Sequence, residues 1–181
     1  MANAKGTVLV GLVKLLRKNK ERAREVLPPR LTHYLEERVV LASWYPLEDY
    51  IELTRAAAKV IPNAGPDVFE MMGRVSARDH MEGTYSRLKR GVNRQAAHTL
   101  LSSLYDTGEM KVLDRAPGRA VIAFERFAIP AREVCENFTG YHAERMTIQG
   151  FKDVRVKHTS CRAQGALACV WDITWKGSKK L

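Results

Sequence analysis

Cysteine is scarce in this chain of 181 residues: there are three, an odd number. An extracellular disulfide framework is thereby excluded as the organising device, and reduced thiols or metal ligation remain. Long apolar runs are also missing. One of the longest, Val8-Leu9-Val10-Gly11-Leu12-Val13, is closed by Lys14, far short of the roughly 20 residues that cross a bilayer. No small-residue cleavage site follows it, and Lys14, Arg17, Lys18 and Lys20 crowd in instead, so a cytoplasmic location is expected. A Ser elbow, a Gly-rich phosphate loop and a His-Glu-x-x-His pair are absent from the sequence. Cys135 has His142 seven residues along the same predicted helix, about 10 Å away, too far for a base to activate a nucleophile. No catalytic constellation is found.

What is present in excess is positive charge. Lys and Arg number 30 against 20 Asp and Glu, for a formal charge of +10. The excess is uneven. Residues 1–40 hold nine basic side chains, Lys14, Arg17, Lys18 and Lys20 among them, against four acidic. A second cluster, Arg74, Arg78, Arg87, Lys89, Arg90 and Arg94, faces only Asp79 and Glu82. Such faces suit phosphates or are simply solvated helix surfaces, the usual meaning of basic runs with interspersed Glu. Without zinc-finger spacing or an RNA-binding aromatic signature, nucleic acid is not an expected partner. A membrane surface stays open as one.

The periodicity divides the chain into a mainly helical half, 6–106, and a sheet-bearing half, 109–176. Leu9, Leu12, Val13 and Leu16 fall at helical spacing; Pro28-Pro29 is read as opening a helix carrying Leu31, Tyr34, Leu35 and Val39. Pro46 starts a segment with Leu47, Ile51 and Val60, Asp67 is a plausible N-cap before Val68, Phe69, Met72 and Val75, and a further helix is expected from about Arg94 to Tyr105. After Gly108 the period becomes two. Met110–Leu113 and Arg119–Glu125 flank the turn Arg115-Ala-Pro-Gly118; Pro130 opens a helix through Val134, Phe138, Tyr141 and Met146; Val154–His158 and Cys169–Trp175 are two more strands. The expected fold is one α+β domain, a helical layer on a four-stranded antiparallel sheet, with a strand-strand-helix-strand-strand second half.

All three cysteines lie in that half. Cys161 and Cys169 bracket a hairpin turn, His158 precedes Cys161 by three, and Cys135 sits in the helix before these strands. Three thiolates and one imidazole suit tetrahedral Zn(II), about one per chain, and with four protein ligands the site is structural, since catalytic zinc keeps a position for water. His158 and Cys161 are an odd number apart and point to opposite faces of a regular strand, so the strand must end or bulge near Thr159-Ser160. Buried cysteines acting as small hydrophobes, a Cys161–Cys169 disulfide, and a solvent-facing His158 stand as alternatives.

Glu133-Val-Cys135, Gly140-Tyr141, Cys161-Arg-Ala-Gln-Gly165 and Ala168-Cys169-Val-Trp171 together resemble the C-terminal signature of the 4-vinyl-reductase-type ligand-sensing domains. In that family zinc-bearing members space their cysteines as Cys135, Cys161 and Cys169 are spaced, with Glu where His158 stands. Lys5–Gly11, Leu27–Arg30, Ser43–Pro46 and Gly73–Asp79 resemble an uncharacterised bacterial family of this length. That family is related to the vinyl-reductase domains, to TRAPP vesicle-tethering subunits and to haem gas-sensing domains. The resemblance implies a dimer with an apolar cavity between helices and sheet. Phe124, Phe138, Tyr141 and Trp171 are candidates to line it, although aromatics at this spacing equally make core. Thr139 and Val156 stand where phenol sensors carry tyrosines, so a phenol is not the expected ligand. Haem ranks low, because nothing singles out one of His33, His80, His98 and His142. The expected function is a cytoplasmic sensory or ligand-binding module that holds a small apolar molecule and signals through a protein partner. An interaction or membrane-tethering scaffold is the alternative.

Overall fold

In a computed structural model of the chain, which describes residues 1–83 and 103–177, the N-terminus is tied down by a short ribbon. Strand β1 (Asn3–Lys5) pairs antiparallel with β2 (Trp44–Pro46), so that Ala4 lies opposite Tyr45. The sequence reading did not contain this ribbon; three-residue strands are too short for an alternation signal. Helix α1 (Gly6–Lys18) follows at once and buries Leu9, Leu12, Val13 and Leu16, the stripe expected from spacing. A short α2 (Lys20–Val26) leads to Pro28-Pro29. There the structure departs from expectation: Pro29–Leu35 is a 3₁₀ helix that buries Leu31, Tyr34 and Leu35 and ends before Val39. The physical reason is that Pro29 occupies the first turn while Arg17 claims the chain's exit, donating its guanidinium to the Tyr34 and Glu37 carbonyls. That same contact takes Arg17 out of the basic surface expected of residues 14 to 20. Lys20 is paired with Glu36 at 2.6 Å, and Lys14 and Lys18 stay exposed. Arg87, Lys89 and Arg90, and most of the helix expected from Arg94, lie outside the described residues.

Helices α3 (Leu47–Val60) and α4 (Val68–Glu82) complete the described helical layer. Asp67 does occupy the N-cap position of α4, but its side chain makes no capping bond. The second half is a meander around one helix: β3 (Glu109–Ala116), β4 (Arg119–Glu125), α5 (Arg132–Ile148), β5 (Lys152–Ser160) and β6 (Ala168–Lys176), with the strands ordered β3-β4-β6-β5 and every pair antiparallel. The β3–β4 turn closes on Gly118 at φ +77°, a conformation that suits glycine. The fold is therefore the expected α+β domain, helices packed on a four-stranded antiparallel sheet.

Helix α5 runs across the sheet and against α4. Its crossing with α4 is so close that a Cβ on Gly140 would come within 1.9 Å of the Glu70 carbonyl oxygen, and one on Gly73 within 1.9 Å of that of Asn137. Two glycines thus set how near α5 can sit to the helical layer, and with it where Cys135 lies over the sheet. No described helix is long and apolar enough to cross a membrane.

Candidate metal centre

Three elements converge beneath the N-terminal end of α5. Cys135 lies in the first turns of that helix, with its amide donating to the Ala131 carbonyl at 3.2 Å. Cys169 opens β6 on the face shared with Trp171 and Ile173, all three buried. His158 lies directly opposite Trp171 in the β5–β6 register and stacks on its ring at 4.8 Å and 20°. The parity problem between His158 and Cys161 is solved by a bulge. His158 pairs with Trp171 and Ser160 with Val170, so β5 advances two residues where β6 advances one. The extra residue switches the alternation and returns Cys161 to the side on which His158 already points.

The donor atoms of Cys135, His158, Cys161 and Cys169 all lie within 4.8 Å of one another. The Cys135 and Cys169 sulfurs are 3.4 Å apart and those of Cys161 and Cys135 3.9 Å. Tetrahedral zinc with Zn–S bonds of about 2.3 Å puts its sulfurs about 3.8 Å apart, so the observed spacings straddle what such an ion needs. All three cysteines are buried and free, which removes the disulfide alternative. Nε2 of His158 is buried without a hydrogen-bond partner, an arrangement that costs free energy unless something binds there. Solvent-facing His158 is thereby ruled out as well.

The surroundings favour negative sulfur. The Cys135 thiol, then the His158 ring and the Arg162 amide at 3.3 Å, hold Cys169 down to about 4, while the same contact with Cys169 and then burial push Cys135 up. The reason is mutual: three thiols packed this closely cannot all ionise without a cation, so in its absence one carries the charge and its neighbour keeps the proton. The turn between Cys161 and Cys169 is built for close approach, with the Gln164 and Ala166 amides both donating to the Cys161 carbonyl and Gly165 at φ +91°. Sequence reading met Thr139 only as the residue standing where phenol sensors carry a tyrosine, and Arg162 only within the Cys161–Gly165 segment. Thr139 accepts from the Trp171 indole at 2.9 Å and donates to the Cys135 carbonyl at 3.0 Å, linking α5, the Cys135 backbone and the sheet.

The four aromatic candidates separate in space. Phe138 and Tyr141 border a cavity of about 30 Å³ with Val8, Tyr50, His80 and Tyr105. Phe124 and Trp171 lie in the aromatic core behind it, where Phe124 meets Phe127 at 4.8 Å and Phe138 at 5.5 Å. Of the helix histidines, His33 is exposed and bonded to the Arg30 carbonyl at 2.9 Å. His80 donates to the Thr7 carbonyl at 3.4 Å and so accepts from the Tyr141 hydroxyl at 3.2 Å, burial lowering its pKa. His142 is fully buried and stacks on Phe138, and His98 lies outside the described residues.

No family model and no curated protein matches this chain. Solved structures do. An H-NOX protein from S. oneidensis in the Fe(II) ligation state is 13% identical over 98% of both chains, with a TM-score of 0.66. An oxygen-binding H-NOX domain related to soluble guanylate cyclases is 12% identical over 96% of each, at 0.67, and the unliganded Fe(II) H-NOX protein from K. algicida is 8% identical over 98% and 99%, at 0.64. At such identities the likeness is one of fold. It corrects the low rank that sequence reasoning assigned to haem: lack of a singled-out histidine is no argument in a chain that shares the fold of haem gas-sensing domains over its whole length.

Proposed function

We propose that this chain is a ligand-sensing module whose sheet-bearing half is organised by a structural zinc ion on Cys135, His158, Cys161 and Cys169. The single observation that carries the reading is the meeting of four donors from a helix and two strands within 4.8 Å, at sulfur spacings a tetrahedral ion requires. Four protein ligands leave no position for substrate water, so the ion's role is to pin the N-terminal end of α5 to the β5–β6 hairpin. Sequence likeness from Pro130 to Trp175 supports the vinyl-reductase type of sensor, and likeness of fold supports the gas-sensing type. The resemblance implies an apolar cavity between helices and sheet, and Phe138 and Tyr141 border a cavity here. A small apolar molecule in that cavity, reported to a protein partner, is the function these features support best.

Elemental analysis of the purified chain tests the metal, with about one zinc per chain expected and none overturning the assignment. An absorption spectrum of the same sample tests haem directly, because a bound porphyrin shows an intense Soret band. Native mass spectrometry then reads any retained organic mass and whether the chain is a dimer.

A further inference from the structure

At the far end of α5 from the cysteines lies a buried cation. Arg145 is only 6% exposed, yet its Nε meets no hydrogen-bond partner, and among the described residues its side chain donates one marginal hydrogen bond, from Nη1 to the Gln149 side-chain oxygen at 3.5 Å. Among the described residues no ion pair includes it: Glu144, its neighbour in sequence, is turned to Arg78 at 2.7 Å and Arg74 at 3.6 Å. Burial lowers its pKa, and the only opposing influence comes from Tyr141. Residues 84–102 include no Asp or Glu at all, but Arg87, Lys89, Arg90 and Arg94, and residues 178–181 offer no acidic side chain.

A guanidinium stays protonated even when buried, and taking it out of water uncompensated is among the costlier things a fold can do. The dipole at the C-terminal end of α5 favours a cation there, but offsets only a small part of that cost. The chain keeps the arginine regardless, and among the described residues no carboxylate pairs with it. We infer that Arg145 anchors a binding site for a small carboxylate anion, which supplies the counter-charge the polypeptide lacks. The fork of a guanidinium matches the two oxygens of a carboxylate through parallel N–H···O bonds. Tyr141, one turn earlier on the same helix, is a wall of the 30 Å³ cavity, which Arg145 itself does not line. A carboxylate carries the single negative charge that one guanidinium balances, whereas phosphate near neutral pH carries between one and two. The site lies ten residues from Cys135, about 15 Å along the helix, and is independent of the metal.

The test uses the full chain in thermal unfolding against sodium acetate, sodium phosphate and sodium chloride at matched ionic strength, for the natural sequence and for Arg145→Met. Acetate is expected to raise the Tm of the natural chain with a saturating dependence and to leave Arg145→Met unmoved. Ligand-free Arg145→Met is expected to melt at or above the natural chain, because it removes an uncompensated buried charge while keeping most of the side-chain volume. Equal shifts in acetate and chloride mean screening alone and overturn the proposal, as does an undiminished acetate response in the variant. A larger saturating response to phosphate overturns the carboxylate assignment. Equilibrium dialysis of labelled acetate against the natural chain needs no variant, and absence of saturable binding there also overturns it. An unchanged zinc content in Arg145→Met separates this result from any failure at the cysteines.

Discussion

On the proposed zinc assignment, replacing Cys135 by Ala severs the helix from the metal and leaves the hairpin intact. Structural zinc sites of this type contribute about 10–16 kcal/mol of apparent binding free energy; shared over four ligands, the loss of one costs roughly 3–4 kcal/mol. For a domain of this size each kcal/mol moves the Tm by about 2–4 °C, so Cys135→Ala should melt roughly 6–16 °C below the natural chain. The geometry says where that energy resides: Cys135 is the sole ligand from α5, and its sulfur stands 3.4 and 3.9 Å from the two on the hairpin. A buried cysteine acting only as a small hydrophobe would cost about 1 kcal/mol when its sulfur is removed. Differential scanning calorimetry with and without a chelator distinguishes the two. The natural chain should fall toward the variant when zinc is withdrawn, and the variant should respond little. Full zinc occupancy in Cys135→Ala, or a natural chain whose Tm ignores the chelator, would refute the reasoning.

Gly140→Ala pits a helix-propensity gain of about 1 kcal/mol against a Cβ only 1.9 Å from the Glu70 carbonyl oxygen, and overpacking of that kind costs roughly 1–3 kcal/mol or more; net destabilisation is expected in denaturant titration, and a stabilised variant would show that α4 and α5 do not cross this closely. Trp171→Phe should cost about 1–3 kcal/mol through the lost indole bond to Thr139 and the thinner stack on His158, with zinc retained but its affinity lowered in a competition assay. His80 gives the pH dependence its sign: burial lowers its folded pKa below the unfolded value, so the unfolded chain binds the proton more readily, and stability is lost as pH falls through about 6.5. Unfolding in urea at pH 7.5 and pH 5.5 should show a smaller pH effect in His80→Gln than in the natural chain. Equal slopes would exclude His80 as the source.

The sequence alone determined the order of elements in the second half, because there each signal is local: alternation in Cys169, Trp171, Ile173 and Trp175, a Pro-Gly turn between β3 and β4, and Pro130 ahead of α5. It also named the four side chains that the fold brings within 4.8 Å of one another, since cysteines are few enough for spacing to mean something. Three features were beyond its reach. The bulge that turns Cys161 toward His158 is a fact of pairing between two strands, and neither strand announces it. The 3₁₀ turn at Pro29–Leu35 follows from Arg17 reaching across from another helix, so local propensity pointed to the wrong helix type. The solitude of Arg145 is visible only in the packed structure, where neighbouring Glu144 turns to Arg78 and Arg74 instead, for burial and charge balance are properties of the packed whole and of no segment within it.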